Sequence, residues 1–215
     1  MRRRGVKNLS TRIVSHPEVL IQNPADYKGK WKSLFKNDNP IYLEIGMGKG
    51  DFILELAKRN PDINYIGLEK FPSVIVVAMD KLVLSKLPNV ILVCFDASNL
   101  TEIFEDSEID KIYLNFSDPW PKTRHAKRRL TSKTFLNTYE QILKKGAHIE
   151  FKTDNRGLFE YSLISLNENN WEFLNLTLDL HTDYNTEEIA KTEYEKRFIA
   201  LGQPIYFIET KKKEK

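Results

Sequence analysis

The stretch IYLEIGMGKGD, residues 41–51, constrains the fold of this 215-residue chain more than any other. An apolar run leads into glycines at 46, 48 and 50, and a helical pattern begins at Phe52. This pattern predicts a strand, a tight turn and a helix. Glycine takes a positive φ without a steric clash and lets the backbone come close to a ligand. In open α/β sheets, such turns at the carboxyl ends of parallel strands bind nucleotide-like ligands.

The residues of this turn indicate what kind of ligand it binds. A dinucleotide-binding fingerprint, G-x-G-x-x-G, needs a third glycine where Asp51 stands. Glu44, two residues before Gly46, adds a negative charge that repels a pyrophosphate. We therefore expect a cationic ligand without phosphates, and S-adenosylmethionine, with its sulfonium and amino groups, fits that description. The alternative is a glycine-rich turn that binds nothing.

The rest of the chain alternates between strand and helix patterns. We expect strands at 41–45, 63–68, 90–95, 109–116, 147–153, 171–178 and 205–209. Helices are expected at 52–59, 73–87, 132–144 and 156–167, with a last helix that begins after Thr192; Gly146 is expected to end the third of these. Alternating strands and helices predict a three-layer α/β/α Rossmann-like fold with a mostly parallel sheet.

The two ends of the chain are basic. Residues 1–39 carry Arg2, Arg3, Arg4, Lys7 and Arg12, and we expect an arm with one short helix near 31–35. The arm either contacts RNA phosphates or is solvated, and both alternatives stay open. Residues 40–210 form the single domain, and 211–215 are expected to be a frayed basic tail.

Composition excludes several classes of protein. No apolar run is long enough to cross a membrane, and no apolar segment follows the basic N-terminus as in a signal peptide. The single cysteine, Cys94, excludes an internal disulfide and a multi-cysteine zinc site. The four histidines share no metal-binding spacing, so we expect no metal. We predict a cytoplasmic protein with no membrane partner.

Four successive strands are expected to end at or near a carboxylate, in Glu44, Glu69, Asp96 and Asp118. Because the carboxyl ends of parallel strands share one edge of a sheet, these acids are expected to converge. Glu69 lies where an acid commonly pairs with ribose hydroxyls. Asp96 falls where an adenine amino group needs an acceptor. Each acid alone is also compatible with a surface charge or a helix cap.

The segment NFSDPWPK, residues 115–122, follows the fourth strand. Pro119 and Pro121 fix the backbone around Asp118, and Trp120 offers a ring for stacking. This predicts a rigid pocket for a planar base. The next segment, TRHAKRRLT, is basic, and its cations are suited to phosphate contacts that carry no sequence information. A solvated loop is the alternative.

Two later segments have both a structural and a functional interpretation. Asp154 either caps the following helix or faces the substrate. Thr192 and Glu195 have the spacing of a capping box, which on spacing alone fully accounts for them.

Taken together, these segments resemble the bacterial tRNA (guanine-N7)-methyltransferases, which have a class I S-adenosylmethionine-dependent fold. The similarity covers nearly the whole chain and is carried by EIGMGKG (44–50), GLEKF (67–71), DASNL (96–100), NFSDPWPKTRHAKRR (115–129), FKTDN (151–155) and TEYEKRF (192–198). The DPWPK loop (118–122) and the TEYE segment (192–195) are highly specific to this family. The resemblance implies a seven-stranded sheet whose last strand is antiparallel.

The resemblance also implies an activity: methylation of N7 of guanine 46 in the tRNA variable loop, with S-adenosylmethionine as cofactor and tRNA as partner. Asp118 is the implied catalytic residue. The cofactor-binding residues are Glu44, Gly46, Gly48, Glu69, Asp96 and Asp118. The substrate-binding residues are Lys122, Asp154, Thr192, Glu193, Tyr194 and Glu195. The RNA-binding residues are Arg124, His125, Ala126, Lys127, Arg128 and Arg129.

The chemistry makes modest demands on these residues. Guanine N7 has a free lone pair and no proton to lose, so no general base is needed, and alignment with the methyl group lowers the barrier. Asp118 is expected to position the base and favour the positive charge that develops on it. Asp118, Asp154 or Glu195 is also suited to accept from the N1 and N2 edge of guanine.

Two other functions stay open. A nicotinamide-dependent oxidoreductase is disfavoured by Glu44 and the missing third glycine. A non-catalytic tRNA-binding protein is disfavoured by the intact Asp118 and Glu44. The sequence leaves open which tRNAs are bound and whether the protein is a monomer or a homodimer.

Overall fold

The computed structural model describes residues 8–184 and 189–213. Arg2, Arg3, Arg4 and Lys7 of the predicted arm lie outside the described residues. Eight strands form one sheet: β1 Leu20–Ile21, β2 Ile41–Ile45, β3 Asn64–Glu69, β4 Val90–Cys94, β5 Ile109–Asn115, β6 Leu143–Thr153, β7 Trp171–Thr177 and β8 Tyr206–Lys212. Their order is β1-β4-β3-β2-β5-β6-β8-β7. β8 is antiparallel to both of its neighbours, and every other pairing is parallel.

Helices cover both faces of the sheet. They are α1 Leu9–Ile13, α2 Trp31–Phe35, α3 Asp51–Arg59, α4 Pro72–Ser85, α5 Lys133–Ile142, α6 Arg156–Glu168, α7 Leu180–Asp183 and α8 Glu193–Ala200. Short 3₁₀ turns lie at Pro24–Tyr27, Ala97–Glu102 and Thr123–Arg128.

Side chains of one strand point alternately into two hydrophobic cores. In β4, Ile91 and Val93 belong to the core that includes residues of α5 and α6, whereas Val90 and Leu92 belong to the core that includes residues of α3 and α4. This alternation follows from the two-residue period of a strand, and a strand buried on both faces is therefore apolar throughout. The predicted three-layer fold with an antiparallel last strand is confirmed.

The number of strands differs from the prediction. Seven were expected and the described residues form eight, because Leu20–Ile21 pairs with Leu92 and Val93 at the edge of the sheet. A two-residue strand is too short to show a period in the sequence. The predicted helix at 31–35 is confirmed as α2.

The described part of the 1–39 segment packs closely on the rest of the chain. Trp31 is fully buried, and its Nε1 donates a hydrogen bond of 2.8 Å to the carbonyl oxygen of Ile103. Arg12 of α1 pairs with Asp80 of α4. A chain division at residue 39 stays a prediction.

The role predicted for Gly146 was wrong. Helix α5 already ends at Ile142, and strand β6 begins at Leu143 instead of 147. Ile109 pairs with Leu143 and Lys111 pairs with His148, so one residue of β5 is opposite four residues of β6. Gly146, with a φ of 76°, lies in this bulge, where a left-handed backbone favours glycine. The last strand extends to Lys212, two residues into the segment expected to fray.

Within the described ranges, no helix is long and apolar enough to cross a membrane.

Candidate active site

The four acids expected at strand ends lie on one edge of the sheet. Strands β4, β3, β2 and β5 are consecutive neighbours and mutually parallel, so their carboxyl ends meet. A cavity of about 570 Å³ opens there, and Glu69, Asp96 and Asp118 line it together with Gly46 and Gly48. We call it the large cavity. A smaller cavity of about 200 Å³ adjoins it, sharing Gly46, Gly48 and Phe116.

The glycine turn presents bare backbone to both cavities. Gly46 and Gly48 have φ values of 76° and 60°, and a Cβ atom built on either would meet no atom within 4 Å. The turn is held by hydrogen bonds from the amides of Gly46 and Met47 to the carbonyl oxygen of Leu68. Since open space faces the backbone, a ligand can approach these two residues closely.

Glu69 is held in place at the end of β3. Its carboxylate accepts hydrogen bonds from the amide of Gly48 at 3.2 Å and from the amide of Phe71 at 2.9 Å. Both contacts come from backbone, so the side chain is fixed before any ligand binds. A fixed carboxylate facing a cavity suits a pair of neighbouring hydroxyl groups.

Asp96 has both roles that the sequence left open, because it caps a helical turn and also faces the cavity. One carboxylate oxygen accepts from both the amide and the hydroxyl of Ser98, each at 2.9 Å, and so caps the 3₁₀ turn that follows. The amide hydrogen bond of Ser98 is the main cause that lowers the pKa of Asp96. The residue also lines the large cavity, so its charge is directed at any ligand there.

Glu44 lies in the small cavity, on a different side of the glycine turn from the other three acids. Its side chain is buried, with 2% of its surface exposed. Asn115 of the neighbouring strand donates a hydrogen bond of 2.9 Å to Oε1, and Oε2 has no hydrogen-bond partner in the described part of the chain. Burial raises the pKa of Glu44 to about 8, opposed by the Asn115 hydrogen bond and the charge of Lys152.

Helix α8 brings three of its four predicted substrate residues to the small cavity. Thr192, Glu193 and Tyr194 line it. Glu193 forms an ion pair of 2.7 Å with Lys49 of the glycine turn. The ring of Tyr194 stacks on Phe198, with 4.5 Å between centroids, and lies 5.4 Å from the ring of Phe116.

Glu195, the fourth predicted substrate residue of this segment, points into the protein interior and not into the small cavity. It is 0% exposed and completes a capping box with Thr192. Its Oε1 lies 2.8 Å from Nε2 of His181 and 3.5 Å from Nζ of Lys152. The capping interpretation of this segment is therefore confirmed. A direct contact of Glu195 with a substrate needs the helix to move.

The loop after β5 places Asp118 on the wall of the large cavity, where it is exposed. Trp120 lines the same cavity with a left-handed φ of 42°. The ring of His125 is perpendicular to the indole of Trp120, with 5.7 Å between the ring centroids. The guanidinium of Arg128 lies 4.9 Å from the centroid of the same indole.

The predicted RNA-binding residues form the 3₁₀ turn Thr123–Arg128 and its end. Arg124, Lys127 and Arg128 are exposed, whereas Ala126 contributes a carbonyl oxygen that accepts from the amide of Arg129. Lys122 is exposed at the start of the turn.

Asp154 does not cap helix α6, so that alternative was wrong. The cap is Asn155, whose side-chain oxygen accepts from the amide of Leu158 at 2.8 Å. Asp154 lies beyond the end of β6 and contributes, after burial, to raising the pKa of Tyr194. It is therefore near the helix that lines the small cavity.

Three residues of this region were not singled out from the sequence: Asn115, Lys152 and His181. Asn115 and Lys152 are buried polar side chains near the carboxyl ends of β5 and β6, each directly after an apolar residue, and that position is the signal that could have identified them. His181 lies on a four-residue helix without a recognisable pattern. In the described part of the chain, no group of three or more His, Cys, Asp and Glu side chains is arranged to hold a metal ion.

The chain is similar to known proteins over most of its length. Residues 38–208 match a family model described as "Putative methyltransferase". The chain is 55% identical over 194 residues to the tRNA (guanine-N(7)-)-methyltransferase of Bacillus subtilis, covering 90% of this chain and 91% of that protein. It is 54% identical over 211 residues to the protein of the same name from Bacillus cytotoxicus, covering 98% and 97%.

Solved structures support the fold. A 16S rRNA methyltransferase, KamB, matches with a TM-score of 0.63 at 15% identity, covering 86% of this chain and 94% of that one. A SAM-dependent methyltransferase from Aquifex aeolicus matches with a TM-score of 0.56 at 12% identity, covering 97% and 98%.

Proposed function

This chain belongs to the family of the tRNA (guanine-N(7)-)-methyltransferases, and we infer that it transfers a methyl group from S-adenosylmethionine to N7 of a guanine in tRNA. The observation that carries this inference is the sheet edge where the glycine turn and four carboxylates surround two joined cavities. We further propose that the target is guanine 46 of the variable loop.

The residues around the cavities fit S-adenosylmethionine. Glu69, fixed by two backbone amides, is suited to the ribose hydroxyls, and Asp96 to the adenine amino group. Open space at Gly46 and Gly48 admits the ligand close to the backbone. The unpartnered Oε2 of Glu44 is suited to a cationic group of the ligand, because a buried carboxylate is stabilised by an opposite charge.

The bound cofactor supplies an electrophilic methyl group, and the chain supplies alignment and charge. We propose that Asp118 orients the guanine and favours the positive charge that develops on its ring. No side chain has to remove a proton, since N7 carries a free lone pair.

We propose that tRNA is held by the exposed cations of the loop after β5, namely Lys122, Arg124, Lys127 and Arg128. Thr192, Glu193 and Tyr194 are proposed to contact the target base from the small cavity. Asp154, whose charge acts on Tyr194, is proposed to contact the substrate as well. His125 acts through Trp120, against which its ring stands. The burial of Glu195 supports an indirect role, through the position of α8.

A tRNA substrate supports a cytoplasmic location. We also propose that the protein forms a homodimer through the edge strand β7, where Phe173, Leu174 and Leu176 are exposed. Light scattering measures the molar mass of the wild type and of Leu176→Lys; a dimer in the first and a monomer in the second are expected, and a monomeric wild type or a dimeric variant contradicts the proposal.

The direct test is to incubate the protein with tRNA and methyl-labelled S-adenosylmethionine, then digest the RNA and identify the labelled nucleoside. We expect labelled 7-methylguanosine, and no label in a transcript with adenine at position 46. Label in another nucleoside overturns the proposed activity. Binding of tRNA without any transfer supports the non-catalytic alternative.

Asp118→Asn tests the proposed catalytic residue. We expect turnover to fall by about 10²-fold, while the Kd for tRNA stays within about twofold, because the variant loses charge and keeps shape. Unchanged turnover with unchanged tRNA binding shows that the charge of Asp118 has no role.

A further inference from the structure

The side chain of Arg129 is turned toward the loop that carries Asp118. Its Nε donates to the carbonyl oxygen of Pro119 at 3.0 Å, and its Nη2 donates to the carbonyl oxygen of Trp120 at 3.0 Å. The guanidinium also lies 4.2 Å from the ring centroid of Tyr161 on α6. Arg129 thus connects the loop to a helix packed on the sheet.

The two carbonyl groups flank a strained residue. Trp120 has a φ of 42°, a left-handed backbone conformation that residues other than glycine rarely adopt. Such a conformation persists only where the surrounding structure holds it. The bonds from Arg129 fix the peptide groups before and after Trp120, and Asp118 directly precedes Pro119.

The other arginines of the basic loop are placed differently. Arg124 is exposed near the start of the 3₁₀ turn. Arg128 is exposed and lies against the indole of Trp120. Arg129 is half-buried, and two of its five donors are used by the loop.

We propose that Arg129 is a positioning residue of the methyl transfer and not a contact to RNA phosphate. It holds residues 118–120 in the conformation that directs Asp118 into the large cavity. The expected effect of Arg129 on turnover rests on the proposed function. The expected effect of Arg129 on the conformation of the loop does not depend on that function.

The fork of donors makes this role specific to arginine. A lysine keeps the positive charge but is a single point donor, so it cannot bond both carbonyl groups in the same plane or stack in the same way on Tyr161. Arg129→Lys therefore separates charge from geometry, and Arg129→Gln removes both.

The first experiment measures turnover, tRNA Kd and the salt dependence of that Kd. We expect Arg129→Lys and Arg129→Gln each to lower kcat by at least about tenfold, with the salt slope unchanged. Arg124→Gln is the comparison for a phosphate contact: it is expected to weaken tRNA binding and reduce the salt slope by about 1. If Arg129→Gln behaves like Arg124→Gln while Arg129→Lys resembles the wild type, Arg129 is an RNA contact and the inference is wrong.

Tyr161→Leu provides a test that leaves every positive charge in place. It removes the ring beneath the guanidinium, and the hydroxyl of Tyr161 is the only polar group lost; Tyr161→Phe, which keeps the ring, is the control for that hydroxyl. We expect kcat to fall in the same direction as in Arg129→Lys, with tRNA affinity retained. A wild-type kcat in Tyr161→Leu argues against support of Arg129 by this ring and overturns that part of the proposal.

A measurement without tRNA separates failure of this inference from failure of the proposed function. Trp31 and Trp171 are buried, so acrylamide quenches chiefly the fluorescence of Trp120. We expect more efficient quenching in Arg129→Lys, at an unchanged melting temperature, and Trp120→Phe identifies the signal. Unchanged quenching overturns the positioning role, even if methyl transfer is never detected.

Discussion

Asn115 donates a 2.9 Å hydrogen bond to one carboxylate oxygen of Glu44 across two neighbouring parallel strands, β5 and β2. The bond fixes a buried acid beside the small cavity. The other oxygen of Glu44 has no hydrogen-bond partner among the described residues. A buried acid in this state is sensitive to pH and to any cation placed beside it.

The first prediction concerns the pH dependence that Glu44 confers. Burial raises its pKa from 4.5 to about 8, so the folded, ligand-free protein holds a proton there that the unfolded chain has released. Its contribution to stability is therefore present below pH 4.5 and is lost progressively as the pH rises to about 8. Chemical unfolding of the wild type and of Glu44→Gln, from pH 5 to 9, measures this contribution.

We expect the stability of Glu44→Gln, relative to wild type, to increase with pH across that interval. We also expect binding of S-adenosylmethionine at pH 7 to release a proton from Glu44, which calorimetry detects in buffers of different ionisation enthalpy. If the difference between the two proteins is the same at every pH, Glu44 does not have a raised pKa.

The second prediction concerns the buried pair of Lys152 and Glu195. Their side chains are 3% and 0% exposed, with 3.5 Å between Nζ and Oε1. Removal of one partner leaves a buried charge, so Glu195→Gln or Lys152→Met should each lower the free energy of unfolding by about 3 kcal/mol. The double variant should lose less than the sum of the two. Urea unfolding of all four proteins measures this.

The surface pair of Arg156 and Glu160 serves as its control. These side chains are 77% and 56% exposed, so Glu160→Gln should cost less than about 1 kcal/mol. Strictly additive costs in the buried pair would show that Lys152 and Glu195 do not interact.

The third prediction compares two glycines with the same backbone. Gly46 and Gly146 both have a φ of 76°, and a Cβ atom built on either meets nothing within 4 Å. Alanine at either position should therefore lower stability by a similar amount, about 1–2 kcal/mol. Only Gly46 lines the cavities, so only Gly46→Ala should weaken S-adenosylmethionine binding. Equal binding by the two variants would mean that the ligand does not approach Gly46.

The fourth prediction concerns the basic N-terminal segment. Trp31 is fully buried and bonded to the carbonyl oxygen of Ile103, so Trp31→Ala should destabilise the whole protein by about 3–5 kcal/mol. Trp120→Ala, at a half-exposed position, is the comparison and should cost much less. Thermal unfolding followed by circular dichroism tests both. A small effect of Trp31→Ala would show that residues around 31 fold independently of the sheet.

The sequence patterns predicted the central part of the fold well. Strand β2 and helix α2 have the predicted bounds, since apolar runs and helical spacing are local signals. Strand β1 was missed because two residues carry no period. The end of α5 was misplaced because Gly146 is needed for a bulge against β5, and that depends on a pairing distant in sequence.

The site was predictable to a similar extent. The positions of Glu69, Asp96 and Asp118 around one cavity follow from the order of parallel strands. That Glu44 faces a separate cavity depends on which face of β2 carries it. It also depends on α8, which begins at residue 193 and lines the same cavity. The inward direction of Glu195 depends on His181 and Lys152, partners that no local pattern assigns to it.

Strand β8 follows β7 in the chain, yet it lies between β6 and β7 in the sheet. During synthesis, a nascent polypeptide that has not reached Tyr206 leaves β7 without a neighbour and β6 with an open side. A folding intermediate in which β8 has not yet paired therefore exposes unpaired backbone edges on β6 and β7. We expect a chain truncated before Tyr206 to aggregate, because these edges then stay unpaired.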